Sequence, residues 1–191
     1  MSRYVGKSVV ILLSGKLGVG KTHIAKILYS KLFNESFWVG LEHFATSVKE
    51  CATEFFNWNG DKDEKGRLLL QSIGRIGREH DRDLWANSVV NRLDSGLMRY
   101  DFVIIDDWRF VNELSVIYSN NYNVIPVNII GEQRIKYEDP NLYCAESEVG
   151  LDDFNNYFFT IDNNKSAVEL DTQLDTLIEK IFDRKDLFYA S

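Results

Sequence analysis

Proline is scarce, at two residues in 191, and no stretch is dominated by glycine, serine or one sign of charge. A linker or a disordered tail is therefore not announced, and no internal repeat is visible. The longest apolar run near the start, Val9 to Leu13, is far too short for a signal peptide or a membrane span. This predicts a soluble protein of the cytoplasm with no membrane partner. Only two cysteines occur, Cys51 and Cys144, and neither has a Cys or His neighbour at metal-ligand spacing. A disulfide between them is geometrically allowed, but a reduced intracellular chain is the favoured reading. Basic residues number 22 against 29 acidic, for a net charge of −7. That balance disfavours a nucleic-acid partner, which would want a basic face, yet leaves room for a small anion in a local basic pocket.

What is present reads as one domain over residues 1–191, with 45% hydrophobic and 27% charged residues. Ser8 to Leu13 is a continuous apolar run of strand length, as in a central parallel strand buried on both faces. Thr22 to Leu32 then has Ile24, Leu28 and Leu32 at helical spacing. Further strands are expected at 36–41, 101–105, 123–130 and 157–161. Helices are expected at 43–56, 64–78, 82–97, 111–119 and 166–182, and 131–150 reads as polar and irregular. Strands alternating with helices predict an α/β fold, a parallel sheet with helices on both faces.

Between the first strand and the first helix stands Gly15-Lys16-Leu17-Gly18-Val19-Gly20-Lys21-Thr22. It fits G-x-x-x-x-G-K-S/T at every fixed position. Glycines let the backbone curl until successive N–H groups face one anion, and the following helix adds the positive end of its dipole. Lys21 would reach the β- and γ-phosphates, and the Thr22 hydroxyl would ligate Mg²⁺. A nucleoside triphosphate, ATP, with Mg²⁺ is the ligand this chemistry implies. Asp106 and Asp107 end a buried apolar strand, where ligands of open α/β sheets sit. One can enter the metal shell while the other caps the next helix.

Arg67, Gln71, Arg75 and Arg78 recur at i, i+4, i+8 and i+11 and so share a helix face. Like charges so spaced repel, so a second phosphate-binding surface is the favoured reading. Compensation by Glu64 and Glu79 would instead make it an ordinary solvated face. Arg109 can join that surface, and Arg134, in the polar segment, could swing over a transferring phosphate. Trp58 and Trp85 are read as core residues ahead of base-stacking platforms.

These motifs together resemble the deoxynucleoside monophosphate kinases of tailed bacteriophages, a branch of the P-loop nucleotide kinases, over nearly the whole chain. His43-Phe44-Ala45-Thr46-Ser47-Val48-Lys49 looks like that family's F-A-d-p-L-K segment. Trp58-Asn59-Gly60-Asp61-Lys62-Asp63 through Arg67 and Leu69-Leu70-Gln71 is similar to W-x-G-x-K-D…R-x-L-L-Q. Gly74 to Arg78 and Trp85 follow G-x-x-x-R…W, Asp107 to Glu113 matches D-x-R-F-x-N-E, and Ser147-Glu148 resembles an S-E pair before the last strand. Departures are Thr46 for an acidic residue, Val111 for a proline, a short lid, and no histidine ahead of Ser147-Glu148.

The resemblance implies a three-layer P-loop kinase fold with a five-stranded sheet in the order 2-3-1-4-5. It implies an acceptor-binding helical insert at about 42–98 and a lid at about 131–150. The implied activity is ATP-dependent phosphoryl transfer to a (deoxy)nucleoside 5′-monophosphate, with small-molecule nucleotides as partners. Gly15, Lys16, Gly18, Val19, Gly20, Lys21, Thr22 and His23 would hold ATP. Phe44, Lys49, Arg67, Gln71, Arg75, Arg78, Trp85 and Arg109 would hold the acceptor. Lys21, Arg78, Arg109 and Arg134 would serve catalysis, and Asp107 is favoured over Asp106 beside the metal. If the chain is phage-encoded, its cytoplasm is the host's. The rivals are a P-loop kinase for dephospho-coenzyme A or a modified base in DNA, and a regulatory nucleotide-binding module that is no kinase. Oligomeric state stays open, a homodimer included.

Overall fold

The computed structural model describes residues 7–61, 63–96, 99–133 and 146–184. Its strands are β1 (Val9–Ser14), β2 (Val39–Glu42), β3 (Phe102–Ile105), β4 (Asn123–Ile130) and β5 (Phe159–Asp162). They form one sheet in the order β2-β3-β1-β4-β5 with every pairing parallel. The helices among the described residues are α1 (Lys21–Asn34), α2 (Thr46–Phe56), α3 (Glu64–His80), α4 (Leu84–Ser95), α5 (Val111–Ser119), α6 (Glu146–Val149) and α7 (Ala167–Asp183). None is long and apolar enough to cross a membrane.

The centre is β1, whose alternate side chains feed two cores. Val9, Ile11 and Leu13 meet Ile24, Leu28 and Leu32 of α1 and Leu170, Leu174 and Leu177 of α7 on one face. Val10 and Leu12 meet Ala86, Val89 and Val90 of α4 and Val116 and Ile117 of α5 on the other. A strand buried on both faces needs no polar alternation, which is why β1 reads as an unbroken apolar run. A third small core, Val48, Ala52 and Ile73, clamps α2 to α3.

Several element ends differ from the sequence expectation, each for a local reason. The strand expected at 36–41 begins only at Val39, because Ser36 turns the chain at φ 66° and Phe37 N–H still bonds Leu32 O. Trp38 is held by Asp101, whose carboxylate accepts its N–H at 2.8 Å. The helix expected from His43 starts at Thr46, since the N–H groups of Phe44 and Ala45 go to the Asp107 carboxylate. The last strand starts at Phe159 because Tyr157 turns its ring onto Trp108 and Phe154. In the segment expected to be irregular, 146–149 is helical, and 134–145 lies outside the described residues.

Between β2 and β3 the chain inserts α2, α3 and α4. Trp85 pins α3 to α4: its Nε1–H donates to Gly74 O at 2.9 Å and its ring lies against Gly77, where a Cβ would come within 2.2 Å of a ring carbon. The anchored ring cannot rotate away. Gly77→Ala should therefore lower stability despite alanine's better helix propensity, by about 1–2 kcal/mol net. Denaturant unfolding checks this, and a raised midpoint would refute the packing claim.

Candidate phosphate-binding and transfer site

The loop at 15–22 joins β1 to α1 at the carboxyl end of the sheet. Gly15, Gly18 and Gly20 have φ of 138°, 80° and 95°, conformations that side chains oppose. At Gly15 a Cβ would also lie 2.3 Å from Ile129 O, and at Gly20 it would lie 2.4 Å from Asn163 Nδ2. Asn163, in the turn after β5, braces the loop by donating Nδ2–H to Val19 O at 2.7 Å. Val19 itself is buried. His23 is exposed on the first turn of α1.

Lys21 Nζ donates to Gly15 O at 2.7 Å and Lys16 O at 2.9 Å. Burial, with the neighbouring Arg109 charge, lowers its pKa to about 8. Lys16 points outward to pair with Asp152 and to donate to Glu148 O at 2.8 Å. Arg109 Nη1 lies 3.3 Å from Gly15 O and 3.1 Å from Glu148 Oε1. The other oxygen of Glu148 accepts the loop's own Leu17 N–H at 3.1 Å. A carboxylate thus sits on the loop and an arginine together.

At the end of β3 the two aspartates divide their work. Asp107 caps the 44–45 backbone, accepting from Phe44 N–H at 2.9 Å and Ala45 N–H at 3.0 Å, and burial raises its pKa against those bonds. Asp106 sits beside the Thr22 hydroxyl and Lys21, and its Oδ1 lies 2.6 Å from His43 Nδ1. Burial pushes Asp106 up, but His43, Thr22 and Lys21 outweigh it and hold the carboxyl low. The bond to Asp106 raises His43 in turn. His43, Asp106 and Asp107 can bring one ligand atom each within 4.8 Å of one another. The geometry thus sets Asp106 nearer Thr22, while the resemblance favours Asp107.

The 43–47 loop is fixed from α4 by Arg92, which donates to His43 O at 2.9 Å, Ser47 Oγ at 2.9 Å and Glu42 Oε2 at 3.2 Å. Phe44 is buried in the core beside Trp108. Lys49, half-buried on α2, is close enough to His43 to act on its charge.

The arginine face of α3 splits. Arg75 is exposed and pairs with Glu79 at 2.6 Å, a surface i,i+4 pair. That is the compensation foreseen for a solvated face, and it takes Arg75 away from the loop. Arg67 and Gln71 are half-buried farther up the helix. Arg78 turns inward: it stacks on Phe110 at 4.2 Å, pairs with Glu146 at 3.0 Å, and leaves its buried Nε without a partner. Trp85 serves helix packing. Arg134 lies outside the described residues.

Glu113, buried below Arg109, accepts the N–H groups of Arg109 and Phe110 at 2.9 and 3.0 Å, and burial pushes it up to about 8. Beside these groups a cavity of about 310 Å³ opens between the loop, the end of β4 and residues 148–157. Sequence reasoning missed His43, Arg92, Asn163 and the cavity. Only His43, leading the Phe-Ala segment, stood within a recognised motif.

No protein-family model matches the sequence, and no curated protein matches it. Solved structures do. A shikimate kinase from Bacteroides thetaiotaomicron is 14% identical, with 91% of this chain and 98% of that chain covered at a TM-score of 0.50. The chain has the fold of the P-loop kinases. An APS kinase from Mycobacterium tuberculosis, in complex with AMPPNP and APS, is 12% identical over 91% of this chain and 97% of that one, at a TM-score of 0.48.

A charge poised near pH 8 on the loop has a measurable consequence. An anion on the loop needs protonated Lys21, so affinity for ATP should be flat up to about pH 8 and then fall by up to tenfold per pH unit. Lys21→Arg should remove that fall, since arginine stays charged, whereas Glu113→Gln should keep it. Calorimetric titrations between pH 6.5 and 10 check this, and a wild-type profile flat to pH 10 would contradict the assignment.

Proposed function

We propose that the protein is an ATP-dependent kinase that transfers the γ-phosphoryl group to a (deoxy)nucleoside 5′-monophosphate, giving the diphosphate. The observation that carries this reading is the sharing of Gly15 O by Lys21 and Arg109. Arg109 thereby abuts the cation of the phosphate loop, and the anion it now holds is Glu148. Arg109, and Arg78 stacked on the neighbouring Phe110 with its Nε unpartnered, would serve a second anion beside the triphosphate.

Phosphoryl transfer through a loose transition state asks for alignment and charge neutralisation more than for covalent help. Lys21 and the loop N–H groups would hold the β- and γ-phosphates. Arg109 and Arg78 would hold the acceptor and meet the charge that develops between donor and acceptor. Thr22 and Asp106, with Asp107 behind them, offer the hard oxygen donors that suit Mg²⁺. Their fit is supported by the closeness of the Asp106 carboxylate to Thr22 and by the bond from His43 that orients it. The ion, when bound, would neutralise phosphate charge. A monophosphate acceptor is already an anion and needs no base to activate it.

A second reading is favoured by one observation. His43, hydrogen-bonded to Asp106 and 39% exposed, has the pairing of a general base. A hydroxyl acceptor, as in dephospho-coenzyme A or a modified base in DNA, would use it. The third reading, a nucleotide-binding module without transfer, leaves Arg78 and Arg109 only their ion pairs with Glu146 and Glu148.

ADP release measured with each common monophosphate, and with hydroxyl acceptors, separates these readings. Stimulation by at least one monophosphate is expected; stimulation by none would sink the proposal. Lys21→Ala should lower turnover by about two to three orders of magnitude or more. Arg78→Ala should raise the acceptor KM at least tenfold while changing that for ATP little. Equal weakening of both would remove Arg78 from the acceptor side.

A further inference from the structure

The cations that face the site draw counter-charges from one short stretch of chain. Glu146 pairs with Arg78 at 3.0 Å, Glu148 with Arg109 at 3.1 Å, and Asp152 with Lys16. Lys16 also donates to Glu148 O at 2.8 Å, and the second carboxylate oxygen of Glu148 accepts Leu17 N–H at 3.1 Å. Glu148 acts on the charge of Lys21 as well. Residues 146–152 thus lie as an acidic strap over the phosphate loop and both arginines.

The strap's contacts differ in strength. Glu146 is exposed, so its pair with Arg78 is a weak surface pair. Glu148 is only 9% exposed, and its partners, a loop N–H and a guanidinium, are the donors that a phosphate takes. The carboxylate brings one negative charge to them, where a terminal phosphate brings about two. The two ends of the strap are also held differently. Before Gly150, Glu146 and Glu148 are held by charge and Val149 is exposed. After it, Leu151, Phe154 and Tyr157 pack into the core with Trp108. Gly150 itself lies against the Arg109 backbone, where a Cβ would come within 2.6 Å of Arg109 O. An anion can therefore replace the ionic half of the strap without undoing its apolar anchor, and α6, of four residues, has few bonds to lose.

We propose that residues 146–152 are an autoinhibitory strap in which Glu148 stands in for a phosphate, so that a polyphosphate occupies the loop only by displacing Glu148 and lifting α6. The proposal rests on the kinase reading above and adds regulation to the same site. Arg78 and Arg109 stay neutralised by the chain's own carboxylates until phosphate arrives. Apparent affinity is lowered by the fraction of molecules whose strap is open.

The test is calorimetric binding of inorganic tripolyphosphate and of a non-transferable ATP analogue with Mg²⁺. Wild type, Glu148→Gln and Asp175→Asn are compared, with melting curves as the folding control. Asp175 pairs with Lys31, which keeps Asp171, so Asp175→Asn makes the same change of net charge away from the site. Glu148→Gln should bind both ligands about five- to tenfold tighter, because the competing charge is gone. Asp175→Asn should stay within twofold of wild type. Hydrogen exchange reads the strap itself: Gly150 N–H, bonded to Glu146 O at 2.9 Å, and Asp152 N–H, bonded to Val149 O at 3.0 Å, should exchange several-fold faster once wild type holds the analogue. Equal or weaker binding by Glu148→Gln would overturn the proposal. So would binding that leaves 146–152 as protected as before or more so, which is how a closing lid behaves. If Glu148→Gln does not fold, exchange on wild type decides alone. ADP release with a monophosphate and no movement of the strap would remove the strap and leave the transfer reading standing. A strap that lifts without ADP release for any monophosphate would keep the strap and remove the transfer reading. No binding of either ligand by wild type or Glu148→Gln would overturn the proposal.

Discussion

The buried central strand ends at Gly15, and the carbonyl of that residue accepts both Lys21 Nζ and Arg109 Nη1. Two cations on one carbonyl repel each other, and the lowered pKa of Lys21 records part of that repulsion after its burial. Counter-charges come from two directions: Asp106 at the end of β3, and Glu148 within α6. The backbone at Gly15 is compatible with no other residue, because its φ of 138° and the nearness of Ile129 O both exclude a Cβ. Sheet register, loop curvature and the siting of both cations are thus tied to one peptide unit.

The same end of the sheet is heavily braced. Asn163 holds the far side of the loop through Val19 O, and Arg92 holds the His43 turn from α4. Trp85 keeps the α3–α4 pair rigid. On the proposed function, such supports would lower the reorganisation that phosphoryl transfer requires. They come from elements distant in sequence, joined only by the parallel topology.

The strands and the loop were legible because their determinants are local. β1 reads as apolar throughout since both its faces are covered, and the loop motif carries its own glycine spacing. Ends of elements were less legible. α2 begins late because its first N–H groups are taken by Asp107, more than sixty residues away, and no local pattern encodes that. The arginine face was half legible: spacing put Arg67, Gln71, Arg75 and Arg78 in line, but Glu79 claims Arg75 while Glu146 and Phe110 draw Arg78 inward. The order of preference between the aspartates was also hidden. Which carboxylate faces Thr22 depends on where β2 delivers His43 and the Phe44 backbone, a matter of packing rather than spacing.

On the proposed function, chemistry runs in one direction, from a phosphate held by Lys21 to an anionic acceptor held by Arg109. Phosphorus NMR of one reaction containing ATP, Mg²⁺ and the nucleoside monophosphates tests it most directly, because each outcome has its own resonance. The expected result is loss of a monophosphate signal with two diphosphate β-phosphates gained for each ATP consumed, and little inorganic phosphate. Inorganic phosphate alone, or no change in the ATP signals, would contradict it.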